Sequence, residues 1–128
     1  MKKNLRVPSD TVKAVFHYLG KGKRFSADIP KIHESFYDIC QIEEFKPICG
    51  DFVFDTLSSY PYSKTIRYAL NRLGMSGLLV YINLDEYEVT ESLAGNESEI
   101  KALFPNENDI ELLKKAAEKF IENINRTK

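Results

Sequence analysis

A chain of 128 residues, 43% hydrophobic and 29% charged, is long enough for one domain with its own core and too apolar for a disordered segment. The net charge of −1 argues neither for nor against nucleic acid, so the distribution of charge must carry any such reading. Two cysteines, Cys40 and Cys49, are too few for a disulfide framework, and the longest clear apolar run, residues 78–82, is far too short for a membrane helix. The basic N-terminus is followed by no apolar signal core, so a cytoplasmic protein with reduced thiols and no membrane contact is expected.

The charges fall in blocks. Residues 1–24 carry +6, residues 25–60 carry −5, residues 61–82 carry +3, residues 83–111 carry −8 and the last 17 residues carry +3. Two cationic blocks therefore stand out, the N-terminal region and the stretch around Lys64, Arg67 and Arg72, which contains no acid.

Taken in chain order, Ser9 or Asp10 is a natural cap for a first helix. Val12, Val15, Phe16 and Leu19 then fall at i, i+3, i+4 and i+7, one apolar face. Gly20 and Gly22 end it, and Lys21, Lys23 and Arg24 read as a basic turn. Ser26 or Asp28 can cap a second helix with Pro30 in its first turn and Ile32, Phe36, Ile39 and Cys40 on its buried face. The stretch EEFKPICGD, with Pro47 and Gly50, reads as a loop, and residues 52–54 as a short strand or an extended packing segment. Ser63 is a natural N-cap for a third helix over residues 63–73. Ile66, Ala69, Leu70 and Leu73 form its inner face, leaving Lys64, Arg67, Tyr68, Asn71 and Arg72 outside, and Gly74 or Gly77 can stop it. Residues 78–82 and 87–90 suit two strands of a hairpin that turns at residues 83–86. In the tail, Asn96 can cap a helix that Pro105 ends, and Asn108 with Glu111 resembles a capping box. Ile110, Leu113, Ala117, Phe120, Ile121 and Ile124 then trace a helical stripe, which can pack on its own domain or pair with a second copy as a homodimer interface.

The stretch ALNRLGMSGLLVYINLDEYEVTESL resembles a pattern shared by winged helix-turn-helix regulators. Its elements are a helix ending in an apolar x-x-L, a small turn, Gly-Leu-Leu, and a hairpin closing on a tyrosine and a "VTE". Here they fall on Leu70, Leu73, Gly77-Leu78-Leu79, Tyr87 and Val89-Thr90-Glu91. The Tyr-Pro-Tyr-Ser before the helix is similar to the "GPYS" of prokaryotic winged-helix proteins, and more loosely to Panacea-type antitoxin domains. The resemblance covers residues 52–93. Residues 1–51 match by helix order alone and the tail does not match. It implies an α+β, mostly α fold: a single winged-helix-like domain over residues 1–128, with residues 96–126 as a C-terminal helical extension.

The resemblance also implies a transcriptional regulator that binds double-stranded DNA through the third helix, whose outer face suits a major groove. The DNA-contacting set is then Ser63, Lys64, Thr65, Arg67, Tyr68, Asn71 and Arg72, with phosphate contacts from Lys21, Lys23 and Arg24 and from Lys2, Lys3 and Arg6. One feature departs from the usual basic wing, because Asp85, Glu86 and Glu88 make the hairpin acidic. The alternative is a protein-interaction or antitoxin-like adaptor that meets a basic partner through that wing. Enzyme chemistry is not expected. His17, His33, Cys40 and Cys49 are the only candidates, and His33 and Cys40, seven apart, can share a helix face as a thiolate pair. No zinc-ligand spacing and no phosphate loop is present, so no metal and no cofactor is expected.

Overall fold

The structure is a computed structural model that describes residues 7–50 and 52–126. Lys2, Lys3 and Arg6 lie outside the described residues. The chain forms α1 (Pro8–Leu19), β1 (Arg24–Ser26), α2 (Ile29–Cys40), a 3-10 turn (Glu43–Phe45), α3 (Lys46–Cys49), α4 (Lys64–Met75), β2 (Leu79–Asn83), β3 (Glu86–Val89), α5 (Glu91–Ala94), α6 (Glu97–Leu103) and α7 (Glu107–Ile124). It is an α+β protein, mostly helical, with one three-stranded antiparallel sheet among the described residues.

The core grows from four phenylalanines, one each from α1, β1, α2 and α7. Phe16 of α1 lies against Phe25, Phe36 and Phe120, with ring centroids 4.9, 5.8 and 5.3 Å apart. Phe120 also meets Phe25 at 5.2 Å and Phe36 at 5.1 Å, so α7 enters the middle of this cluster. Such offset and edge-on pairs add to the area they bury. α7 packs on α1 and α2, and α1 packs on α4. Ile110, Leu113, Ala117, Phe120 and Ile124 are all buried within the chain, and Ile121 is half-buried. Of the two readings of that stripe, the structure shows packing on the chain's own α1 and α2, which leaves little of it for a second copy.

The sheet has the order β1-β3-β2. β1 escapes the sequence reading, which treats its first residue as part of a turn. It holds its place by pairing: Arg24, Phe25 and Ser26 lie opposite Glu88, Tyr87 and Glu86. Period-two alternation buries Phe25 and turns Arg24 outward. Gly22, at φ +80, allows the turn that delivers the chain into this strand, and Gly77, at φ +78, allows the turn from α4 into β2. Gly74 lies inside α4 and does not stop it.

Other local expectations also need correction. Val7 caps α1, its N–H donating to the Asp10 carboxylate at 2.9 Å, so Ser9 and Asp10 lie inside the first turn. Asn106, not Asn108, caps α7 and accepts from the Asn108 N–H at 2.7 Å. The segment 43–49 is helical rather than a loop, because Pro47 sits in the first turn of α3 where its missing N–H costs nothing. Of the two readings for residues 52–54 the packing segment holds and the strand does not: Phe52 and Phe54 pack on the core edge, and an isolated bridge joins Asp55 to Tyr62. Cys40 and Cys49, at the ends of α2 and α3, are joined as a disulfide across a Cα–Cα distance of 5.4 Å, so the expected pair of reduced thiols is not what the structure holds. No helix among the described residues is long and apolar enough to cross a membrane.

Candidate functional site

α4 starts where the sequence places it. The Ser63 hydroxyl accepts from the Ile66 N–H at 3.3 Å, and the Ser63 N–H donates to His33 Nδ1 at 3.0 Å. Both contacts fix the first turn, one from within the helix and one from α2. Ser63 is fully buried by this double use. It is therefore corrected from a DNA contact to a structural cap.

The inner face of α4, with Ile66, Ala69, Leu70 and Leu73, is buried as its periodicity requires. Lys64, Arg67, Tyr68, Asn71 and Arg72 are exposed, and Thr65 is half-buried at the edge of the same face. Arg67 donates to the Tyr62 hydroxyl at 3.4 Å. Arg72 donates to the Tyr68 hydroxyl at 3.2 Å and lies 5.6 Å from that ring's centroid. These contacts hold the guanidinium groups without neutralising them. None of the three α4 cations has a carboxylate partner among the described residues.

The N-terminal cations are placed differently. Arg24 lies 3.1 Å from Glu88 across the β1–β3 pair, and Lys21 lies 3.7 Å from Glu91. Lys23 is exposed. Two of the three expected phosphate contacts are thus already paired with acids. The same Arg24 pair partly answers the acidity of the hairpin, leaving Asp85 and Glu86 at its tip.

His33, in the sequence only a candidate for a thiolate pair with Cys40, has a different partner. Cys40 is tied to Cys49 and no described cysteine is free, so the thiolate pair with His33 is ruled out. His33 instead supports the start of α4. Its ring stacks on Tyr62 at 5.0 Å and lies 5.3 Å from Tyr60. Burial lowers its pKa to about 4. A cap whose own N–H needs an acceptor was the signal available in the sequence. His17 is likewise buried, with Nδ1 2.8 Å from the Leu93 carbonyl and Nε2 3.1 Å from Glu97. Among the described residues no group of three or more His, Cys, Asp or Glu could hold a metal ion.

On the flank of α4 towards the hairpin, a half-open cleft of about 340 Å³ runs between α2, residues 60–62, α4 and the hairpin. Tyr81 and Tyr87 stack there at 4.5 Å, and the Tyr87 hydroxyl donates to that of Tyr81 at 3.2 Å. Burial, followed by this hydrogen bond, raises the Tyr87 pKa further above its usual value. Compared with known proteins, the chain matches no family model, no curated protein and no solved structure.

Proposed function

We propose that this chain is a small DNA-binding protein, a transcriptional regulator of winged helix-turn-helix type, that lays the outer face of α4 in the major groove. The observation that carries the reading is the charge of that face: Lys64, Arg67 and Arg72 are exposed and meet no carboxylate among the described residues. In this role Arg67 and Arg72 grip guanine edges or phosphates, Asn71 pairs with adenine, and Lys64 with Thr65 approaches phosphate at the helix start. Tyr68 steadies Arg72. The order of elements supports the architecture, since a strand and two long helices precede α4 and a hairpin follows it. Lys23 adds a further phosphate contact, while Lys21 and Arg24 must exchange Glu91 and Glu88 for the backbone. The role is non-enzymatic, and any pairing of two copies uses a face other than the α7 stripe.

A cytoplasmic location accompanies this reading. The Cys40–Cys49 bond weighs against it, since disulfides persist in oxidising compartments. Thiol titration of the protein taken directly from cells decides between them.

The test is the double substitution Arg67→Ala/Arg72→Ala. Affinity for duplex DNA should fall at least tenfold, about 1.4 kcal/mol, while unfolding stability stays nearly unchanged. Unchanged affinity contradicts the assignment.

A second reading, a protein-interaction or antitoxin-like adaptor, is favoured by the hairpin. β2 is an edge strand, and Val80, Tyr81, Ile82 and Leu84 are exposed along it next to Asp85 and Glu86. An unpaired apolar edge invites a strand from another chain, and the acids at its tip suit a basic partner.

A further inference from the structure

The cleft beside α4 has the make-up of a small-molecule site. Its walls are aromatic, from Tyr60, Tyr62, Tyr81 and Tyr87, and its polar groups are His33, Arg67 and Asn71. Among the described residues its lining has one cation and no carboxylate. Mostly apolar walls with a few fixed polar groups are the usual make-up of ligand pockets, and about 340 Å³ falls at the small end of their size range.

His33 supplies an independent observation. Its Nδ1 accepts the Ser63 N–H, so that nitrogen carries no proton. Burial keeps the ring neutral at pH 7, and the single ring proton must therefore sit on Nε2. That Nε2–H is buried and has no partner among the described residues. A buried donor without an acceptor carries the full cost of its desolvation, and native structures rarely tolerate one.

We propose that the cleft binds a small aromatic carboxylate. The ring lies among the tyrosines, the carboxylate at one end meets Arg67 and Asn71, and an acceptor oxygen at the other end takes the Nε2–H of His33 once the side chains that close this atom to solvent here move aside. A planar ring suits aromatic walls, against which it can lie offset or edge-on. The single uncompensated guanidinium selects an anion. The site shares Arg67 and Asn71 with the outer face of α4, so ligand and DNA would compete for these side chains, and the site is tested without DNA.

The test is a titration followed by NMR of the His33 Nε2–H, using 4-hydroxybenzoate as the probe, benzyl alcohol as the uncharged control and no DNA. The expected result is a saturable shift of that proton with 4-hydroxybenzoate and a much weaker response to benzyl alcohol. Arg67→Ala should weaken the probe about tenfold. Tyr81→Ala, which removes the ring stacked on Tyr87, should weaken it as well, with the urea midpoint measured alongside to confirm that the variant is folded. No shift at millimolar probe overturns the proposal. So does an equal response to both compounds, or a response indifferent to both substitutions. Because DNA is absent, failure here leaves the DNA reading standing, and failure of DNA binding leaves this site standing.

Discussion

α4 and α7 are built to the same plan and finish differently. Each is an amphipathic helix with a side-chain cap, and each buries one face in the shared core. Their outer faces diverge. On α7, Lys114 lies 3.8 Å from Glu111, Lys115 lies 2.7 Å from Glu44 and Lys119 lies 3.6 Å from Glu122. On α4, Arg67 and Arg72 are held by tyrosine hydroxyls, and none of its three cations meets an acid among the described residues. A helix needed only for its buried face gains from a balanced exterior. A helix that leaves its charge uncompensated is suited to an anionic partner.

The sharpest way to break this comparison is to attack the buried side of α7. Phe120→Ala removes the ring shared by Phe16, Phe25 and Phe36 and should cost about 3–5 kcal/mol in urea unfolding. A loss under 1 kcal/mol would mean that α7 is dispensable to the core.

Next comes pH, through the support of α4. His33 has a pKa of about 4 when folded against an ordinary value of 6.5, so the unfolded chain takes up its proton first as pH falls. Its contribution is complete above pH 6.5 and is lost progressively towards pH 4, by up to about 3 kcal/mol. Tyr60, Tyr62 and Arg67 lie on the cleft side of the ring, and among the described residues no carboxylate in the lining can hold the protonated form. Glu97 and Glu99 have pKa values below the ordinary carboxylate, set chiefly by His17 and Lys13, and act lower in pH. Urea midpoints at pH 7 and pH 4.5 measure the His33 window. A stability flat across it contradicts the buried neutral imidazole.

The caps give a smaller effect. Ser63→Ala should cost about 1–2 kcal/mol, at the upper end for a cap. Asn106→Ala, at an exposed cap, should cost nearer 0.5–1 kcal/mol. Equal losses would remove the special anchoring of α4. The smallest effects are on the outer faces. Arg72→Ala and Lys115→Ala should each change stability by less than about 1 kcal/mol. Only the first should change DNA affinity.

Legibility in the sequence followed the range of the interactions. α4 was readable because Ser63 and the Ile66, Ala69, Leu70, Leu73 repeat are local signals. The inward stripe of α7 was equally plain, but its partner was not, since periodicity marks a buried face without saying what buries it. β1 was hidden because three residues gain strand geometry only from β3, about sixty positions away. The caps of α1 and α7 were misplaced where several competent side chains stand close together. The tyrosine cleft was invisible because its walls come from separate segments, and His33 looked like a partner for Cys40 when its acceptor role depended on Ser63.

The most direct measurement is the affinity of the protein for mixed duplex DNA across a salt series, read by fluorescence anisotropy. If the α4 face is a groove-binding surface, log affinity should fall against log salt with a slope of about −4, corresponding to four or five neutralised phosphates. No binding at low salt would contradict the account and leave the open cations of α4 as an ordinary solvated face.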